Sequence, residues 1–391
     1  MLLSSRLRNE QFPRGAQVTL TGDGGVGVGS DPFVSVAGRE LRPTPVFDTY
    51  WRFAAARHAV YEARLSGQLP PWSGDPILTA YRFTNCYRAA DRVSQYLITQ
   101  VCYREDQSWD EVFFRVLLFK IFNRLATWRL LNAQLGQVKW AEYSYAGYNA
   151  ILSGALAVGE RLYSAAYIMP PPPLGEERKH SNHLRLLELM MKDRAPEKLA
   201  EAPSMSAAFK VLASYPGIGA FLAYQYLIDL NYAAGLGFNE MDFVVPGPGA
   251  KDGIRKCFGA AAAGIEAEVI RYMADTQDEH FARLGLQFEG LRGRPLQLID
   301  CQNLFCEVDK YARVAHPKVP GISGRTRIKQ AYRRDLEPVS AWFPPKWGLN
   351  QAEPPPEMSG PDASVTEFIG PRFTGRATSR YQRRPAQPAM F

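Results

Sequence analysis

Paired cysteines are missing from this 391-residue chain: Cys86, Cys102, Cys257, Cys301 and Cys306 are odd in number and contain no CxxC step. That argues against a disulfide framework, a zinc ribbon and a clustered iron–sulfur loop, and it points to buried thiols. Metal-ligand spacing is equally scarce. His180 and His183 stand one helical turn apart, but no HExxH accompanies them, so neither a metal nor another cofactor is expected. No GxxxxGK[ST] occurs anywhere; ATP-dependent phosphoryl transfer lacks a visible phosphate cradle, and no nucleotide cofactor is expected. No apolar run approaches the roughly 18 to 20 residues of a membrane span. The opening Met1-Leu-Leu-Ser-Ser-Arg lacks the apolar stretch of a secretory signal, so a soluble cytoplasmic protein with no membrane partner is the expectation. Strand-like alternation is rare throughout.

What the chain has is apolar and aromatic mass, 46% and 12% of residues, enough for a large core. Residues 1–45 are Gly-, Pro- and Ser-rich and read as a flexible arm; the run Gly22-Asp-Gly-Gly-Val-Gly-Val-Gly29 lacks the strand and helix of a nucleotide-binding loop. Residues 46–324 carry helical patterning: Phe47–Leu65, Asp75–Tyr81, Tyr87–Cys102, Trp109–Leu131, Tyr145–Ala157, Asn182–Lys192, Ala220–Tyr232, Gly264–Leu284 and Pro295–Val314. Pro170–Pro173 is a stiff spacer that suggests a joint between subdomains. Residues 325–391 form a basic, Pro-rich tail with eleven Lys/Arg against six Asp/Glu, which holds much of the net charge of +7. Such a tail follows phosphates weakly or is simply solvated. The fold class is therefore all-α, a two-lobed helical core with an irregular arm and tail.

Within the core, Leu212-Ala-Ser-Tyr-Pro-Gly-Ile-Gly-Ala-Phe-Leu-Ala-Tyr-Gln225 breaks one helical run and starts another at once. Ser204 is a good N-cap for the first, giving a hairpin over 204–232. Gly217 and Gly219 allow positive φ and leave backbone N–H groups at the next helix start free for a phosphate, so the segment reads as a helix-hairpin-helix. The bland alternative is a tight loop between packed helices. Pro246-Gly-Pro-Gly249 reads as a kinked loop whose Gly247 and Gly249 amides, with Lys251, Arg255 and Lys256 nearby, suit a phosphate or pyrophosphate. Tyr81-Arg-Phe-Thr-Asn-Cys-Tyr-Arg-Ala-Ala-Asp-Arg92 supplies the π-faces and polar groups that an extruded base needs, from Phe83, Asn85, Tyr87, Arg88 and Asp91. Asp300–Tyr311 adds Asn303 on one polar face with Glu307. A structural ion-pair helix and a solvated face are the ordinary alternatives for these two.

Taken together, DPIL, YRFTNCYRAADR, FFRVLLFKIFNR, LASYPGIGAFLAYQ, GPGAKDG and DCQNLFCEVDKYAR resemble the helical domain of 5-hydroxymethyluracil DNA kinases and the α-glutamyl/putrescinyl-thymine pyrophosphorylase group, over roughly residues 47–314. That group is similar in architecture to helix-hairpin-helix DNA glycosylases and is associated with hypermodified pyrimidines in phage DNA. The resemblance implies DNA, double-stranded and carrying modified bases, as the partner. It matches Asp242 best to the catalytic aspartate of the glycosylases, in a role that stabilises an oxocarbenium ion. Where strand-cleaving glycosylases have a lysine, this chain has Phe221, which implies a monofunctional enzyme. The leading expectation is thus a DNA glycosylase that excises a 5-modified pyrimidine, leaves an abasic site and serves antiviral defence. The alternatives are a transferase that places an amine or amino acid on pyrophosphomethyl uracil, and a non-enzymatic DNA-binding sensor.

Overall fold

The first elements among the described residues form a short hairpin. Strands β1 (Val34–Val36) and β2 (Arg39–Leu41) pair antiparallel with Val34 opposite Leu41, and Ala37 and Gly38 turn the chain at φ 50° and 75°. Positive φ at both central residues matches the right-handed twist of the strands. The structure is a computed structural model, and it describes residues 33–104, 106–333, 339 and 341–350. The glycine run at 22–29 and the end of the basic tail lie outside the described residues.

The other named elements among the described residues are all helical. Thr44 caps α1 (Pro45–Leu65) by accepting the Val46 N–H at 3.1 Å, with Pro45 at the position where its missing donor costs nothing. Asp75 caps α2 (Pro76–Ala80) through the Ile77 and Leu78 amides. The continuous helix expected over 87–102 is three pieces: a 3-10 turn at Arg88–Ala90, α3 (Arg92–Tyr96) and a wider π-helical segment at Leu97–Cys102. Asp91 is extended between the first two, its carboxylate taken by the Asn85 amide at 2.8 Å. The run expected over 109–131 likewise splits, into α4 (Trp109–Phe122) and α5 (Leu125–Leu135). Asn123 takes the left-handed conformation at φ 48° and stops the first helix without a glycine. From Val112 to Phe122 every side chain of α4 is buried, the mark of a helix at the centre of the core.

Helix α6 (Tyr145–Ala157) coincides with its expected span. α7 (Lys179–Lys192) and α8 (Ala195–Ala200) lead into α9 (Met205–Ala213) and α10 (Ala220–Asn231), the two arms of the hairpin. α11 (Pro248–Phe258) starts inside the segment expected to be a loop, because Pro248 suits a helix start. α12 (Glu266–Asp275) and α13 (Gln277–Arg283) replace one expected helix, and α14 (Leu298–Ala315) closes the core. α11 and α14 pack backbone to backbone: a Cβ at Gly253 would lie 2.1 Å from the Phe305 carbonyl oxygen.

The all-α class therefore holds, and the described residues fall within one compact unit. The polyproline segment lies against the hairpin turn, where a Cβ at Gly217 would meet Pro172 Cβ at 3.2 Å. The first part of the basic tail packs on the core. Tyr332 N–H donates to Ala80, Trp342 and Phe343 are buried, and Lys346 reaches the carbonyls of Ala233 and Leu236 beyond α10. No described helix is long and apolar enough to cross a membrane.

Candidate nucleic-acid interface

The hairpin turn is anchored from behind and open in front. Tyr215 donates its hydroxyl to Asp193 at 2.7 Å, Ile218 N–H closes on the Tyr215 carbonyl, and Gly217 at φ 80° lets the chain reverse under Pro172. Gly219 then caps α10 with no side chain; it and Ala220 are exposed, and a Cβ at Gly219 would meet nothing within 4 Å. The first amides of a helix lack intrahelical acceptors and carry its positive dipole end, so this turn presents a bare anion site.

A second helix start converges on it. Gly247 caps α11, and a Cβ there would lie 2.6 Å from Phe221 Cε2 and 3.5 Å from Gln302 Oε1. Phe221 belongs to the first turn of α10, so both N-termini meet at this ring. Lys251, in the first turn of α11, is exposed. Tyr167 lies parallel to Phe221 at 6.2 Å between centroids, and both rings are half-buried. Amides line the floor: Gln302 donates to Asn303 Oδ1 at 3.0 Å and Gln225 approaches Gln302 at 3.5 Å. Gln225 Oε1 is buried and has no hydrogen-bond partner among the described residues.

Beneath Tyr167 sits a buried ionic knot. Asp229 of α10, with no exposed surface, accepts two hydrogen bonds from Arg88 Nη2 at 2.7 and 2.8 Å and meets Lys120 of α4 at 3.2 Å. Arg88 Nη1 donates to the Tyr167 hydroxyl at 2.6 Å, and both cations lie on the Tyr167 ring, 5.1 and 4.8 Å from its centroid. Burial lowers the Lys120 pKa in spite of Asp229. Tyr167 itself holds φ 54°, an uncommon conformation for a tyrosine, so the knot fixes the ring in place. Nearby, Asp300 accepts the Arg88 backbone N–H at 2.9 Å; burial, with the Glu240 charge, pushes its carboxyl up to about 7.

The structure distributes the residues singled out from the sequence. Gly219, Gly247 and Lys251 lie at the starts of α10 and α11, which meet at Phe221; Asn303 is joined to this face through Gln302, and Gly217 is the bend behind it. Gly249 packs on Cys306, its Cβ position 3.0 Å from Sγ, and so serves helix packing. Lys256 is not a phosphate ligand: its ammonium is 2% exposed and pairs with Asp309 at 3.0 Å. The expected base pocket is not one pocket. Arg88 is locked in the knot, and Tyr87 is buried with its hydroxyl on the Arg294 carbonyl at 2.7 Å. Asp91 holds the Asn85 backbone, and its carboxyl is raised by burial to about 6; Phe83 faces a separate cavity. Asp242 is exposed on the turn between α10 and α11, where Arg271 binds its backbone carbonyl at 3.2 Å.

Sequence reasoning missed Tyr167, Gln225 and Gln302, and it treated Phe221 only as an absent lysine. Lys120 and Asp229 carried a readable signal: each is a lone charge within an apolar helix, VLLFKIF and YLIDLNY, which is expensive to bury without a partner.

Residues 44–321 match the family model of the 5-hmdU DNA kinase, helical domain. The chain belongs to this family. A relative, the 5-hmdU DNA kinase of Bacillus phage SP10, is 24% identical over 288 residues, 68% of this chain and 45% of the relative. The chain thus spans less than half of that relative's length. No solved structure matches the chain. These matches overturn the expectation of a hydrolytic DNA glycosylase that leaves abasic sites: the family and the relative are named for a kinase, a transferase, and the transferase alternative fits them better. With that, Asp242 loses the glycosylase role assigned to it.

Proposed function

We propose that this chain is the DNA-engaging helical module of a base-modifying transferase that acts on a 5-hydroxymethyl pyrimidine in DNA and leaves the glycosidic bond intact. The observation that carries the reading is the meeting of two helix N-termini at Phe221, with the open Gly219 turn on one side and the stacked Tyr167 ring on the other. Backbone N–H groups at Gly219 and the first turn of α10, with Lys251, take the strand phosphates. The Tyr167–Phe221 pair gives a π-face for an unstacked base, and the Gln302 and Asn303 amides offer donors and acceptors to its polar edge.

Kinase chemistry on such a base requires a phosphoryl donor, which the expectation of no nucleotide cofactor does not accommodate. The 391 residues contain no Walker loop, and this reading gives the chain the DNA side of the reaction. The test is binding of duplex DNA with one 5-hydroxymethyluracil against the same duplex with thymine, using the wild-type chain and Phe221→Ala. The modified duplex should bind more tightly, with the preference lost in the variant. Digestion and mass spectrometry should then recover every nucleoside with its base attached. Equal affinities for the two duplexes, or a preference that survives in Phe221→Ala, would defeat the reading.

A further inference from the structure

A cavity of about 300 Å³ lies away from the ionic knot, between α1, the Pro70–Ser73 loop and α2, and Tyr332 of the packed tail closes one side. Its walls carry four aromatic side chains, Trp72, Tyr81, Phe83 and Tyr332, and two guanidinium groups, Arg57 and Arg64. None of the residues lining it is acidic. The two carboxylates whose charge acts on Arg57 are engaged elsewhere: Asp91 holds the Asn85 backbone amide at 2.8 Å, and Glu307 holds the Thr84 amide at 3.0 Å and Lys310 at 2.8 Å.

Arg57 is built into place. Its Nη2 donates to Asn85 Oδ1 at 2.5 Å, and Asn85 is itself fixed by donating to the Ala90 carbonyl at 2.7 Å. Its Nη1 is buried and has no hydrogen-bond partner among the described residues. A buried guanidinium donor left unmatched costs free energy that an incoming acceptor returns, and an anion returns most. Arg64 lies over Trp72 at 5.1 Å, an arrangement that extends a flat, cationic wall. The volume is at the lower end for small-molecule sites, which limits the ligand to one ring system with a short appendage.

We propose that this cavity binds a nucleotide: a planar ring held among Trp72, Tyr81 and Phe83, with its anionic group on Arg57. The nucleotide is either free or a single residue of an unpaired strand, since both present the same ring and phosphate. The proposal is independent of the reading of the hairpin face.

Isothermal titration with dTMP, thymidine and the tetranucleotide (dT)4 tests it on the full chain. Saturable dTMP binding is expected, about tenfold weaker for thymidine and about tenfold weaker in Arg57→Gln, the loss that one charge-assisted hydrogen bond accounts for. Trp72→Ala, outside the helices, should weaken binding in the same direction and guards against misfolding of the Arg57 variant. Should only (dT)4 bind, with the same sensitivity to both substitutions, the occupant is a nucleotide within a strand. Gly219→Asp at the hairpin must leave these titrations unchanged, so loss of duplex binding and loss of this site are separable. Absence of saturable binding by both dTMP and (dT)4, or binding indifferent to Arg57→Gln and Trp72→Ala, overturns the proposal.

Discussion

The ionic knot and the hairpin face use the same kinds of residue to opposite ends. In the knot, Arg88 and Lys120 share the carboxylate of Asp229 out of water, and their product is the position of one ring, Tyr167. At the hairpin face Gly219 offers bare backbone, and the only lysine of the first α11 turn, Lys251, is left exposed. A buried charge is stabilising only when its partners are complete, whereas an open amide at a helix start gains from a ligand that arrives later. The contrast between Lys251 and Lys256, five residues apart on one helix, makes the same point: one faces solvent and the other is sealed against Asp309.

The comparison breaks hardest at Asp229. Asp229→Ala leaves two buried cations without their carboxylate and should cost about 3 to 5 kcal/mol in urea unfolding. It should also weaken duplex binding, because Tyr167 loses its anchor. A cost below about 1 kcal/mol would mean that the knot is not the support described.

His183 probes the strap behind the hairpin. It is fully buried, hydrogen-bonded to the Tyr163 hydroxyl at 2.8 Å and the Pro170 carbonyl at 3.1 Å, and burial lowers its pKa from 6.5 to about 4. Between those values the unfolded chain binds the proton and the folded chain does not. Stability from this group is therefore complete above pH 6.5 and falls as the pH drops to about 4. The loss should be of the order of 3 kcal/mol. His183→Gln should flatten the pH dependence of the unfolding midpoint over that window by this amount; an unchanged slope would place the titration elsewhere.

Gly219→Asp sharpens the distinction between fold and function. A carboxylate at the N-cap satisfies a helix amide, so stability should stay within a few tenths of a kcal/mol or rise. The same charge repels phosphate, and duplex affinity should fall about tenfold in a fluorescence anisotropy titration. The smallest effect is expected at the exposed Asp242, where Asp242→Asn should leave stability within about 0.5 kcal/mol of wild type and duplex affinity unaltered. A large loss of affinity there would extend the interface onto the turn before α11.

Much of the fold was legible in the sequence wherever a local signal decided it. Ser204 marks the start of α9 through its own side chain, and the Pro-Gly-Ile-Gly turn announces the hairpin. The breaks at Asp91 and Asn123 were not legible. Each depends on a partner or a backbone conformation that no periodicity records: the Asn85 amide for Asp91, and the left-handed turn at Asn123 with Lys120 and Ser164 on its side chain. For the candidate site the sequence singled out Gly219, Gly247, Lys251 and Asn303, and it missed Tyr167 and Gln302, which reach the site from distant segments.

By itself, then, the sequence determined a mostly helical core with a glycine-turn hairpin and the motifs of its family, because helix periodicity, caps and turns are written within a few residues. Only the tertiary structure decided which lysine is sealed and which faces solvent, which glycine opens to solvent and which lets two helices touch. Those outcomes depend on what covers each face, and burial of a charge or a backbone is set by segments far apart in the chain.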